Sequence, residues 1–281
     1  MRKATFAVFA SRSTHAALLR LSAQLRHAAR HAGDPEAIHD LRVSIRRYTQ
    51  CLRTFEDLFD PAALKPIRKR LRTLMTLCGE TRNCDIAIEL LRAARLPKDN
   101  PAYAKLRERR ANAEDALVRH LGKKRWANFA RRNRLRPIPN PSRAHVWDRD
   151  GSVAANAHTF LPPLCADFFA VGAAAAGSRE DYETLHQFRL RAKRFRYTLE
   201  LFSKVYGPGV ERRLAAMRAL QDKLGQINDC RTTLELVETN TVAVNLCKRL
   251  LALRDRALRS YWRAVFAGKQ AHLWRRWLSG R

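Results

Sequence analysis

Residues 39–55, HDLRVSIRRYTQCLRTF, return further along the chain as LHQFRLRAKRFRYTLELF, starting at Leu185. The repeat sets His186 on His39, Arg189 on Arg42, Lys193 on Arg46, Phe195 on Tyr48, Leu199 on Leu52 and Phe202 on Phe55, all at one shift (186 − 39 = 147). A chain that repeats a long amphipathic segment in register is constrained to fold as two copies of one unit. At roughly 100° per residue, Leu41, Ile45, Tyr48, Leu52 and Phe55 share one side of the first helix. His39, Arg42, Arg46 and Arg53 share another. An ordinary solvated helix face mixes signs, with Glu three or four residues before Lys or Arg. This stripe carries one sign, and that pattern points to an anionic ligand.

Comparison of the copies separates shared chemistry from coincidence. Both keep a histidine, a cation three residues on, a cation seven residues on and the apolar face. They do not share Asp40, which is replaced by Gln187, so a His39–Asp40 pair does not read as a metal-dependent phosphohydrolase dyad. His27 and His31 stand one helical turn apart but lack an HExxH carboxylate or a third ligand, and read as an exposed face. Neither a metal nor a cofactor is expected. Arg72, Arg82, Arg218 and Lys223 are weaker candidates, because their helices could turn them toward the stripes or toward solvent.

The rest of the chain reads as helices joined by short turns, with no period-two strand pattern. Gly33, Asp34 and Pro35 end a first helix and cap the next, and Pro61 and Pro66 suit the first turns of a third. Gly79 is expected to stop that third helix, with a fourth beginning near Asn83 and ending before Pro97. In the second half a helix is expected to end at Gly225. The third-helix segments LRTLMTLCGETRNCD from Leu71 and MRALQDKLGQINDCR from Met217 place Arg218 on Arg72 and Gly225 on Gly79, at a shift of 218 − 72 = 146. One deletion between helices accounts for the lost residue. Arg136–Arg143, RPIPNPSR, is the one marked linker. The expectation is therefore one unit over 1–281, with helical bundles at 1–135 and 151–281 and a proline-rich linker at 136–150.

The formal charge is +29, from 55 basic against 26 acidic residues, an excess that a folded structure does not itself require and that suits a polyanionic partner. A hydrophobic fraction of 46% supplies a core. Six cysteines (51, 78, 84, 165, 230 and 247) show no CxxC pair or framework spacing, fitting a reducing cytoplasm. The amino-terminal apolar run, Ala4 to Ala10, is at the lower limit for a signal sequence, and cleavage is not expected. The uncharged stretch around Phe168 to Gly177 is too short to span a bilayer, and no membrane partner is expected.

The basic-histidine helices HDLRVSIRR and HQFRLRAKRFRY, followed by GETRNCD and LGQINDC in the next helices, resemble the CHAD domain, the conserved-histidine α-helical domain. The resemblance covers nearly the whole chain. It implies two pseudo-twofold-related four-helix bundles with a basic groove or cavity between them. It also implies binding of inorganic polyphosphate and association with polyphosphate granules. The family's motif falls on His39, Arg42, Arg46 and Arg47, and again on His186, Arg189, Lys193 and Arg194. Asn83 departs from the family, which usually has Asp there, and the departure implies a weaker helix cap. Nothing in these residues resembles the triphosphatase domain often fused to the family, so a non-catalytic binding module is expected. Two rivals stay open. A nucleic-acid binder would share the charge but would expose aromatics for stacking. A phosphotransfer enzyme would use His39 or His186 as nucleophile.

Overall fold

The computed structural model describes residues 5–122, 126–138, 147–177 and 181–280, and these form ten α-helices with no strand. In order they are α1 (Phe6–Arg30), α2 (Pro35–Thr54), α3 (Pro61–Ala93), α4 (Pro101–Leu121), α5 (Phe129–Arg132), α6 (Val153–Gly177), α7 (Tyr182–Leu201), α8 (Gly209–Leu236), α9 (Thr241–Val265) and α10 (Gln270–Leu278). Residues 139–146 of the proline-rich stretch, and the start of the amino-terminal apolar run, lie outside the described residues.

Three helices begin with the same device. Asp34, Asp60 and Asn100 each stand just before a proline and accept a hydrogen bond from the backbone N–H two residues on, at 2.9, 2.9 and 3.0 Å. The cap satisfies a donor that the first turn would leave bare, and the proline has no N–H to lose.

The helix ends expected at Gly79 and Gly225 are not there. Both α3 and α8 run straight through these glycines, 33 and 28 residues long. Neither glycine takes the left-handed backbone that a glycine stop uses. Asn83 therefore lies inside α3 and caps nothing. The helix continues because Leu71, Leu74, Cys78, Cys84, Ala87 and Leu91 keep one buried stripe across the glycine.

The chain divides into two compact units. One holds Ala10–Arg143 and Asp229–Arg249, and the other holds Met1–Phe9, Ala144–Asn228 and Leu250–Arg281. This differs from a sequential division at 136–150, since α1, α8 and α9 are each shared out between the units. In the first unit α3 packs against α2 and α4. Arg110 of α4 ties this packing together. Its Nε donates to Asp85 Oδ1 at 2.9 Å, one Nη meets Glu114, and the other donates to the Gly33 carbonyl at 3.1 Å.

In the second unit α6 packs against α7 and α10. Phe168 is fully buried, with its ring centroid 5.3–5.8 Å from those of Phe188, Phe195, Trp262 and Phe266. The amino-terminal run is part of this core, because the Phe6 ring stacks on Trp147 at 4.6 Å. At 25 residues, α6 is long and apolar enough to cross a bilayer by length and composition. The shorter estimate from sequence stopped at Asp167, through which the helix continues. Its inner face, Leu161, Cys165, Phe168, Gly172 and Ala175, is buried in the unit.

Two predictions follow from this packing. A Cβ added at Gly172 would come within 2.2 Å of the Trp262 ring and 2.8 Å of Phe188, both buried. Gly172→Ala should therefore cost about 1–3 kcal/mol through overpacking, seen as a lower urea midpoint, whereas Gly225→Ala, where nothing lies within 4 Å, should be neutral or stabilising. The second concerns pH. Burial pushes the thiols of Cys51, Cys78 and Cys165 from an ordinary 9.0 up to about 12. The unfolded chain then releases these protons before the folded one does, so stability is complete below pH 9 and declines as pH rises toward 12. Urea midpoints should fall between about pH 8 and about pH 10, and replacing the three cysteines with alanine should flatten that fall.

Candidate functional site

Each basic stripe is held by the burial of the face opposite. Leu41, Ile45, Tyr48 and Leu52 on α2, and Phe55 just after it, are 0–1% exposed. The other side leaves His39, Arg42 and Arg46 half-buried and Arg47 and Arg53 exposed. Among the described residues, Arg46, Arg47 and Arg53 form no ion pair, and the Nε of Arg46 is buried without a hydrogen-bond partner. The Arg46 stem is thus drawn in against the protein.

Arg42 reaches the neighbouring helix. One of its terminal nitrogens lies 3.2 Å from where a Cβ on Gly79 would stand. Its charge also falls on Cys78, where it partly offsets the burial that raises the thiol. Gly79 therefore makes room for a guanidinium rather than ending a helix, and two separately legible motifs meet at one place. Further along α3, Arg82 is half-buried and 3.9 Å from Glu89, and Arg72 is exposed beside a recess at the start of the helix. The structure assigns neither of them to the stripe.

The start of α2 is steadied from below by Arg110. Its contact with the Gly33 carbonyl is one residue before the Asp34 cap, while Asp85 and Glu114 hold the guanidinium. Burial alone would weaken the charge on Arg110, but the two carboxylates outweigh it. Asp85, the last residue of the GETRNCD motif, serves this support. Sequence reasoning missed it, because Arg110 offered only its Glu114 neighbour at the i,i+4 spacing.

On α7 the same register holds within the other unit. Asp181 caps the helix by accepting from Thr184 N at 3.0 Å and from its hydroxyl, and those bonds hold its carboxyl below the usual range. Leu185, Phe188, Ala192, Phe195 and Leu199 are buried. His186 and Arg194 are exposed, and Arg189 and Lys193 are half-buried. The copies differ at their supports. Nothing lies within 4 Å of a Cβ on Gly225, so the Arg42–Gly79 arrangement is not repeated there. Arg196 provides a support that the sequence did not reveal. Its Nε donates to Gln221 Oε1 at 2.6 Å, its Nη1 pairs with Glu200 at 2.5 Å, and it stacks 4.2 Å from the Tyr197 ring centroid. Gln221 then donates to the Ala192 carbonyl at 2.8 Å, joining α8 to α7.

The remaining candidates of this half are spoken for locally. Lys223 Nζ sits 5.3 Å over the Tyr261 ring, and Arg218 is 3.8 Å from Glu211. His27 and His31 are exposed with ring centroids 4.5 Å apart, and His31 Nδ1 donates to the His27 carbonyl at 3.0 Å. Among the described residues no group of three or more His, Cys, Asp or Glu is placed to hold a metal. All six cysteines are buried.

Two solved structures are similar to this chain over nearly its full length. One is the crystal structure of the CHAD domain from the plant Ricinus communis, with a TM-score of 0.67 and 20% identity, covering 99% of this chain and 93% of that one. The other is PptA from Streptomyces chartreusis, with a TM-score of 0.64 and 18% identity, covering 96% and 100%. At these identities the likeness establishes the fold. No curated protein matches the chain. The model of the CHAD domain family matches residues 15–238, the span that carries both basic-histidine helices and both of the motifs that follow them. This protein belongs to the CHAD domain family.

Proposed function

We propose that this protein binds inorganic polyphosphate through the basic stripes of α2 and α7, does not turn it over, and resides in the cytoplasm at polyphosphate granules. The observation that carries the reading is the repetition of one row, a histidine followed by cations three and seven residues on, behind a fully buried apolar face in both helices. Holding such a row is electrostatically unfavourable for an empty protein and favourable for one that meets a polyanion. Membership of the CHAD family supports the same substrate class.

Arginine offers a fork of donors that matches two phosphate oxygens, and lysine offers a compact charge. Arg42, Arg46, Arg47 and Arg53 on one helix, with Arg189, Lys193 and Arg194 on the other, are the proposed contacts. His39 and His186 add a donor at the head of each row. Recognition then rests on repeating charge rather than on any reading of sequence. Exposed side chains also favour polyphosphate over nucleic acid. Among the described residues the large apolar side chains left exposed are all aliphatic: Val8, Leu19, Val118, Leu190, Val242, Leu253 and Leu273. Base stacking needs aromatic faces instead.

Binding should weaken steeply with salt, because each phosphate contact releases a counterion. Reversing Arg42 and Arg189 together to glutamate should raise the Kd for labelled polyphosphate at least about tenfold and flatten its salt slope, while reversing the exposed Arg275 and Arg276 should change it by less than about twofold. Equal losses from the two pairs would reject the site. At fixed salt, polyphosphate should displace RNA of equal charge.

Turnover is tested separately. Phosphate release from polyphosphate or a nucleoside triphosphate, with magnesium or manganese, should not exceed that of the His39→Ala, His186→Ala double variant. Metal-dependent release that vanishes in the variant would establish an enzyme instead.

A further inference from the structure

The unit that contains α2 also holds a recess of about 440 Å³, and no stripe residue of α2 is among the described residues lining it. It lies between the first turns of α3, the turn that follows α2, and Ile138. The backbone N–H of Ile138 donates to the Leu58 carbonyl at 3.0 Å, which fixes the beginning of the proline-rich stretch as one wall.

Three kinds of group meet there. Lys65, Lys69 and Arg72 stand at i, i+4 and i+7 on α3, a row about 10 Å long on one helix face. None of the three forms an ion pair among the described residues. Arg68, between them, is committed elsewhere: its Nη2 donates to the Leu52 carbonyl and to Glu56, each at 2.8 Å, and so neutralises Glu56. Asp57 is left as a carboxylate with no cation partner among the described residues. Pro61, Leu64 and Ile138 supply apolar wall.

Bare polyphosphate has no use for an apolar wall, and an unpaired carboxylate repels it. A phosphate ester with an organic group uses all three. We propose that this recess binds a nucleoside triphosphate, with the phosphates on Lys65, Lys69 and Arg72, the flat base against the apolar wall, and Asp57 accepting from a sugar hydroxyl or a base amino group. The volume falls in the roughly 300–1,000 Å³ range of small-molecule pockets.

The duplication argues that this is a separate function. At the shift of 147, Asp57 falls on Lys204, and at 146, Lys65 and Lys69 fall on Glu211 and Ala215. Of the three cations only Arg72 recurs, as Arg218, so the stripes are repeated in both copies whereas the two lysines and the carboxylate of the recess belong to the first alone. The proposal does not rest on polyphosphate binding by the stripes.

The test uses the full chain carrying Arg42→Glu and Arg189→Glu, which removes competition from the stripes, and titrates it by calorimetry with ATP, tripolyphosphate and adenosine. ATP should bind at one site at least about tenfold more tightly than either of the others, since each lacks half of the matched groups. Adding Lys65→Glu and Lys69→Glu should weaken ATP at least about tenfold, with unchanged circular dichroism, and Asp57→Asn should reduce the preference for ATP over tripolyphosphate. In the chain with intact stripes, the two lysine reversals should alter long-chain polyphosphate affinity by less than about twofold. The proposal is overturned if ATP does not bind, if tripolyphosphate binds as tightly, if the lysine reversals leave ATP binding unchanged, or if they weaken long-chain polyphosphate as much as ATP. Polyphosphate binding left unchanged by the Arg42→Glu and Arg189→Glu reversals, with ATP binding present and sensitive to the lysine reversals, would reject the stripes and leave the recess standing.

Discussion

The structure depends on setting like charges side by side and keeping them there. A row of arginines on one helix face is self-repelling, and a helix of 20 residues in water has too little intrinsic stability to resist that repulsion alone. Burial of the opposite face does so. Leu41, Ile45, Tyr48 and Leu52 on α2, and Phe188, Phe195 and Leu199 on α7, are removed from water almost completely. Each such side chain contributes about 1.5–3 kcal/mol, far more than one screened surface repulsion costs. The core thus acts as a clamp on the charged surface.

The two units steady their stripes by different means. Around α2, Arg110 gathers Asp85, Glu114 and the Gly33 carbonyl, while Arg68 bridges the end of α2 to Glu56. Around α7, Arg196 and Gln221 do the corresponding work, and Phe168 with its ring neighbours fills the space beneath. The repeated part is the face proposed to meet the ligand, and the supports have diverged. Such divergence is physically reasonable, since many arrangements can hold a helix but few arrangements of cations follow a polyanion.

A distinction also emerges among the arginines. Arg110, Arg196 and Arg259 have side chains 22%, 12% and 14% exposed, and each is satisfied by carboxylates or carbonyls. Arg46, Arg47 and Arg53 form no ion pair among the described residues. The excess positive charge is therefore not spread evenly. Part of it is structural, neutralised where it is buried, and part is left on the stripes and on α3.

Much of this was legible without coordinates. The 147-residue register, the all-helical class, the buried faces of α2 and α7, the cap at Asp34 and the start of α3 at Pro61 follow from patterns a few residues long, and backbone geometry enforces those locally. What the tertiary structure decided involves partners distant in sequence. Gly79 looked like a stop because glycine often ends helices, but its place under Arg42 depends on how α2 crosses α3. Asp85 and Gln221 acquire their roles from Arg110 and Arg196, each 25 residues away. The division into units likewise moved, because a helix of 25 or 28 residues carries its ends wherever the rigid ladder leads them. The sequence by itself determined which faces are apolar and which are basic, because a helix repeats every few residues. The tertiary structure alone decided which charge lies against which neighbour, because those distances are set by packing between helices.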